Sequence, residues 1–240
     1  MSIGIAITTH NRRRIANKSI NELINIAPKD AYIVVVDDAS DVTYENDSVD
    51  VYRFSQQVGI ARAKNKCLEL LEDCDHIFLF DDDIYPVTEG WEQRYIQNGE
   101  KHLCYTWHVL HNGKVNANVF LHTDYAKGVD VYHRPCGVML YLQKQVLEVV
   151  GGMDNRFIGW GYEHVEYSQR IYNAGLTSYP FQDVIGSKDL FYSYDYHKET
   201  TTSVPKHVYK RRNEILWLQN QYSNEYKPYK NSNVLPKRSS

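Results

Sequence analysis

The sequence predicts an α/β fold built on a largely parallel sheet, and three observations carry that expectation. Short apolar runs alternate with helical patterns, and three of those runs stop at polar or acidic residues. The 240 residues are 42% hydrophobic and include 20 Tyr, 7 Phe and 4 Trp, enough apolar and aromatic surface for a sizeable core. Such a composition excludes a chain that is disordered over most of its length.

In chain order, Ile3–Thr9 reads as a buried strand. Ile15, Ile20, Leu23, Ile24 and Ala27 then fall on one face of a helix that Pro28 stops. Residues 31–36 form a β-branched run ending at Asp37-Asp38. The pattern repeats with a short strand over 49–54 and a helix over 59–71 that turns Ala63, Cys67, Leu70 and Leu71 inward. A strand over 76–80 follows and runs into Asp81-Asp82-Asp83. Strands joined by helices in this way lie parallel. Ligands of doubly wound sheets bind outside the carboxyl ends of the strands, so residues 8–12, 37–38 and 81–83 are expected to converge.

The second half reads differently. Residues 101–110 and 114–121 alternate around Asn112-Gly113, which predicts a hairpin and a mixed sheet. A loop carrying Gly151, Gly152, Gly159 and Gly161 leads into a helix over 162–173. No internal repeat interrupts the pattern, and one domain over 1–203 is expected, followed by a basic, aromatic segment over 204–240. That segment carries eight basic residues against Glu214 and Glu225, within a chain of 27 Lys+Arg and 30 Asp+Glu. It reads either as a helix packing Ile215, Leu216 and Leu218 on the body, or as cations and stacking rings for nucleic acid. A pI near 6.4 weighs against strong non-specific DNA binding.

No apolar run reaches the ~18 residues of a membrane span, and residues 1–14 lack the order of a secretory signal. Cys67, Cys74, Cys104 and Cys136 form no CxxC pair and are expected as free thiols in a reducing, intracellular (cytoplasmic) setting.

Three consecutive carboxylates after an apolar strand repel one another, and a divalent cation relieves that repulsion. Asp81 and Asp83 lie on the same side of an extended segment and suit Mg2+ or Mn2+ on a substrate diphosphate. The alternative is a solvated acidic turn, just as Asp37-Asp38-Ala39-Ser40 could be an Asx turn.

Taken in order and spacing, Ile5-Ala6-Ile7-Thr8-Thr9-His10-Asn11-Arg12, Val35-Val36-Asp37-Asp38-Ala39-Ser40, Gly59 with Ala63-Lys64-Asn65, and Phe78-Leu79-Phe80-Asp81-Asp82-Asp83 resemble the motifs of family 2 glycosyltransferases. That resemblance implies the GT-A fold, a Rossmann-like mixed sheet flanked by helices, and a nucleotide-sugar donor, UDP-linked. It also implies nucleotide-binding roles for Thr8, His10, Arg12, Asp38, Asp81 and Asp82, with the metal on Asp81 and Asp83. The family has Arg where this chain has Lys64, and Arg62 precedes it by two residues, so either cation is a candidate for the nucleotide.

The stretch Gly151-Gly152-Met153-Asp154-Asn155-Arg156-Phe157-Ile158-Gly159-Trp160-Gly161-Tyr162-Glu163-His164-Val165-Glu166 is similar to the W-G-x-E motif of β-1,4-galactosyltransferases and chondroitin-type polymerases. It is also similar to that of polypeptide N-acetylgalactosaminyltransferases. The resemblance implies an acceptor and sugar site at Trp160, Gly161, Tyr162 and Glu166, with proton transfer by the residue opening the helix. Inverting relatives place Asp where this chain has His164, so Glu163 and His164 both stand as candidate bases, and a retaining mechanism stays open. Glu166, four residues before Arg170, also reads as a helix-surface ion pair, and Trp160 as core. A late His serves such enzymes as a further metal ligand, which points to His197 in Asp195-Tyr196-His197. The expected function is a metal-dependent glycosyltransferase acting on a saccharide or a hydroxymethylated base in DNA. Rival readings are a non-catalytic nucleotide-sugar or nucleic-acid binding module and, less favoured, a nucleotidyltransferase.

Overall fold

The computed structural model describes residues 1–107, 113–199 and 206–230. In chain order they form β1 (Ile3–Thr9), α1 (Arg13–Ile26), β2 (Tyr32–Asp37), β3 (Asp50–Arg53), α2 (Ile60–Leu70), β4 (His76–Asp81), β5 (Ile84–Pro86), α3 (Trp91–Ile96) and β6 (His102–Cys104). They continue with β7 (Phe120–Asp124), β8 (Val129–Tyr132), β9 (Met139–Gln143), α4 (Lys144–Val150), α5 (Glu163–Asn173), β10 (Gln182–Val184), β11 (Phe191–Ser193), α6 (Tyr194–His197) and α7 (Lys206–Asn220).

The main sheet has the order β3-β2-β1-β4-β9-β6. Its first four strands are parallel, and β9 runs antiparallel between β4 and β6. Alternation along these strands divides the core in two. Ala6, Val34, Val36, Leu79, Leu140 and Leu142 pack with α2, α4 and α5, while Ile5, Ile7, Val35, Phe78, Phe80 and Tyr141 pack with α1 and α3. Covering on both faces is why these strands read as continuous apolar runs.

Strand register positions the site. Thr8 lies opposite Val36 on one side and Asp81 on the other, and Thr9 opposite Asp37, so the polar ends of β1, β2 and β4 meet as expected. The Asp81 N–H donates to Val138 O (2.8 Å), which brings the start of β9 to the same edge. Helix α2 is buried along residues 61–68, polar ones included, because a loop closes over it. The Asn65 carboxamide donates to Met153 O (2.8 Å) and Asn155 Oδ1 (2.9 Å) and accepts from Met153 N (2.7 Å).

The expected hairpin around Asn112-Gly113 does not form among the described residues. β6 pairs with β9 in the main sheet, and β7 pairs with β8 in a separate β10-β8-β7 sheet. The apolar β9, already paired with β4 on its other side, takes β6 as its second neighbour. Asn112 itself lies outside the described residues, as do residues 200–205 and 231–240 of the C-terminal part. Helix α7 also departs from expectation, since Ile215 and Leu218 are exposed and it is Leu216 and Trp217 that pack on the core. Cys67, Cys74 and Cys104 are buried free thiols, and Cys136 is half-buried. Among the described residues no helix is long and apolar enough to cross a membrane.

Candidate active site

A cavity of about 1170 Å³ opens where the carboxyl ends of the strands face the 158–162 loop and α7. The strand ends contribute Thr8, His10, Arg12, Asp38, Asp81 and Asp83 to its lining, and the loop and helices α5 and α7 contribute Trp160, Tyr162, Glu163, His164, Tyr209 and Trp217. Its size exceeds the roughly 300–1,000 Å³ typical of a single small-molecule site, leaving room for two substrates.

At the strand end, the two carboxylates after β2 do different work. Asp37 accepts from Ser40 N (2.9 Å) and Ser40 Oγ (2.6 Å) and pairs with Arg53, which is the Asx turn given as the alternative reading of this segment. Asp38 instead faces the cavity, accepting from the N–H groups of Val58 (2.6 Å) and Gly59 (2.9 Å). Burial nevertheless keeps its pKa above the usual carboxylate range. His10 Nδ1 lies 2.8 Å from the Asp38 backbone oxygen, so it carries the ring proton and leaves Nε2 as an acceptor.

The acidic triplet is held by two cations of the chain. Lys64, wholly buried, pairs with Asp81 (2.7 Å), and Arg12 pairs with both Asp82 and Asp83, the latter at 2.7 Å. Asp82 is 0% exposed, accepts from Thr9 Oγ1 (2.6 Å) and lies outside the cavity lining, so it anchors the turn and does not meet a nucleotide. Burial, with repulsion between them, raises the pKa of both Asp82 and Asp83 against the pull of Arg12. Of the two candidate cations, both buried, Arg62 lines the cavity, while Lys64 lies outside its lining and pairs with Asp81.

At the loop end, Gly159 (φ +69°), Gly161 (φ +104°) and Tyr162 (φ +69°) are all left-handed, and Tyr162 caps α5. Glu163 opens the helix, 3% exposed, and accepts from the Gly161 N–H. Burial and the nearby charge of Asp81 push its pKa up to about 7. His164 Nε2 lies 3.3 Å from Glu163 Oε1. Burial and the charge of Lys64 push the His164 pKa down to about 3, and its Nδ1 is buried with no hydrogen-bond partner. Gly137 (φ +80°) makes room for that ring, because a Cβ there would collide with it.

Two expected site residues lie elsewhere. Glu166 is buried in a bidentate pair with Arg170 (2.8 and 3.2 Å), which in turn donates to Val150 O and Gly152 O (both 2.6 Å). It is neither a surface pair nor part of the cavity; it braces α5 against the loop before it. His197 is exposed and stacked on Tyr192, with centroids 4.5 Å apart. The residue of that segment that does line the cavity is Asp195, and its charge acts on Asp83.

Residues 119–199 match the family model described as the N-terminal domain of galactosyltransferase. Over 133 residues the chain is 31% identical to beta-1,4-galactosyltransferase 7 of Mus musculus and of Homo sapiens, covering 55% of this chain and 34% of each relative. The chain thus spans about a third of the length of the curated relatives it matches. Among solved structures it resembles GalNAc-T7 with UDP, GalNAc and Mn2+, with a TM-score of 0.62 at 14% identity over 77% of this chain and 42% of that one. It also resembles S. aureus TarS 1–349 in complex with UDP-GlcNAc, with a TM-score of 0.56 at 16% identity over 80% and 58%. A third is the mannosyltransferase PcManGT from Pyrobaculum calidifontis in complex with GDP-Man and Mn2+, with a TM-score of 0.54 at 14% identity over 86% and 58%. The fold is that of the GT-A glycosyltransferases.

Among the described residues of this GT-A chain, no group of three or more His, Cys, Asp or Glu side chains is gathered as a ready-made metal site. Mg2+ and Mn2+ need no such cage, since one or two carboxylates with water and substrate phosphate complete their shell. The residues present fit that requirement. Asp83 Oδ1 is buried without a hydrogen-bond partner, and the charges of Asp81 and Asp195 both bear on Asp83. Asp195, His133 and Arg134 are among the lining residues that the sequence pattern does not single out. The signal available for Asp195 was its place two residues before His197, in a one-turn helix that directs the two side chains differently.

Proposed function

We propose that this chain is a metal-dependent glycosyltransferase that moves a sugar from a nucleoside diphosphate donor, UDP-linked, to a hydroxyl of a saccharide acceptor. One observation carries the reading: a carboxylate with a pKa near 7, Glu163, shares a cavity with the acidic end of β4 and feels the charge of Asp81. The galactosyltransferase match over residues 119–199 favours a saccharide over modified DNA as acceptor.

In this reading Thr8, His10, Asp38 and Arg62 form the wall for the nucleotide, and Asp81, Asp83 and Asp195 hold Mn2+ or Mg2+. When bound, the ion supplies Lewis-acid stabilisation of the leaving diphosphate. Trp160 offers a flat apolar face to a sugar ring. Glu163 accepts the proton of the acceptor hydroxyl as that oxygen attacks the anomeric carbon, and the glycosidic bond to diphosphate breaks. Such direct displacement inverts the anomeric centre. His164 is too weakly basic for that role with its pKa near 3. As a neutral ring it lies against the carboxylate, with Nε2 3.3 Å from Glu163 Oε1, and limits where that side chain can turn.

Release of nucleoside diphosphate from UDP-, GDP- and dTDP-sugars tests this, with Mn2+ or EDTA and with saccharides or hydroxymethylated DNA as acceptor. Metal-dependent, saccharide-stimulated release from one donor is expected. Donor binding without release under every acceptor would instead identify a binding module, and stimulation by DNA alone would overturn the choice of acceptor.

A further inference from the structure

Helix α7 lies beyond residues 119–199 matched by the family model, yet its side chains grip the loop that carries Glu163. Asn213, fully buried, donates from Nδ2 to the backbone oxygens of Ile158 (2.9 Å) and Trp160 (3.2 Å). Arg212 supports it, donating to Asn213 Oδ1 (3.1 Å) and to Arg156 O (2.9 Å). The Trp217 ring stacks on Tyr162, with centroids 5.4 Å apart and planes inclined by 24°, and the Tyr162 hydroxyl donates to Glu214 Oε1 (2.9 Å). Nearer the start of the helix, Tyr209 packs so closely on Gly159 that a Cβ there would collide with its ring.

The loop needs such a grip. Tyr162 is a bulky residue in the left-handed region, a conformation that persists only where the surroundings over-determine it. Its dihedrals set the direction in which Glu163, the next residue, leaves the backbone. The contacts of α7 also fall where positioning demands them. They reach residues 156–162, largely through hydrogen bonds to backbone oxygens, while Ile215 and Leu218 of the same helix stay exposed. A helix serving only to bury apolar surface would turn those two residues inward.

We infer that α7 is the positioning element of the acceptor end: Asn213, Glu214 and Trp217 hold Tyr162 in its left-handed conformation and so aim Glu163 at the acceptor hydroxyl. The inference rests on the reading of Glu163 as proton acceptor. Asn213 and Glu214 lie outside the cavity lining and act through the loop, whereas Trp217 both lines the cavity and stacks on Tyr162.

Hydrogen–deuterium exchange and steady-state kinetics of Asn213→Ala and Trp217→Ala test it, with Trp217→Phe as the conservative control. Because loss of a buried carboxamide can unfold a chain, the Trp217 pair keeps the test decisive if Asn213→Ala does not fold. Exchange is expected to rise over residues 156–163 in both alanine variants, with the amides of β1 and β4 still protected. Affinity for UDP should hold while kcat falls about 10- to 100-fold, the scale of a misplaced reacting group, and Trp217→Phe should keep most of the activity. Unchanged exchange over 156–163 in the folded variants would overturn the inference, as would raised exchange with unaltered kcat. Should the wild-type protein release nucleoside diphosphate from no donor, the proposed function fails by that result alone, and the exchange data still decide whether α7 holds the loop.

Discussion

The strand end of the cavity and its loop end place carboxylates by different means. Thr8, Asp37 and Asp81 are neighbours because parallel ladders make them so, and the acidic triplet there is matched by Lys64 and Arg12. Glu163 stands at the tip of a left-handed loop, held in place through α7, and among the described residues it pairs with no Lys or Arg. Burial raises the pKa of Glu163 to about 7 against the pull of Lys64, and it likewise raises Asp82 and Asp83 against the pull of Arg12, so what differs between the two sets is the geometry that holds them. In the proposed function the strand-end carboxylates serve the donor and Glu163 the acceptor.

Removing the loop carboxylate should break this division most visibly. Glu163→Gln is expected to lower kcat by about 10²- to 10⁴-fold, the usual contribution of a general base, with nucleotide affinity unchanged by calorimetry. At the strand end, Arg12→Ala leaves Asp82 and Asp83 buried beside each other without their cation. A loss of about 3–5 kcal/mol of stability is expected in urea unfolding, as for other broken buried pairs.

A smaller effect is graded by pH. Glu163 must be ionised to accept a proton, so kcat should rise with pH up to about 7 and then level off. The sign for stability is the opposite. The folded-state pKa of Glu163 lies above its ordinary 4.5, so its contribution to stability is full below 4.5 and is lost as pH rises through about 7. Smallest of all, Ile215→Ser on the exposed side of α7 should shift stability by no more than about 0.5 kcal/mol, since that side chain braces nothing.

What could be read from the residues follows the same division. Parallel strands covered on both faces are continuous β-branched runs, so β1, β2 and β4 and the convergence of their ends were visible. Within the triplet, the inward turn of Asp82 depends on Arg12 reaching across from another strand end, which spacing does not reveal. Lys64 rather than Arg62 matched a familiar position, but that Arg62 lines the cavity and Lys64 pairs with Asp81 is set by the packing around α2. The partner of β6 was hidden because β9 lies far along the chain, and Asn-Gly advertises a local turn regardless. At the acceptor end, a left-handed Tyr162 leaves no mark in a sequence where only glycine would signal it. The role of Asn213 exists only once α7 has docked.

The most direct measurement compares Asp83→Asn with Glu163→Gln for UDP binding in Mn2+ and for release of UDP from the donor. Asp83→Asn should lose metal-dependent binding and turnover together, whereas Glu163→Gln should bind like the wild type and fail to turn over. Wild-type turnover in either variant, or loss of UDP binding in Glu163→Gln, would contradict the assignment of the strand end to the donor and of Glu163 to proton transfer.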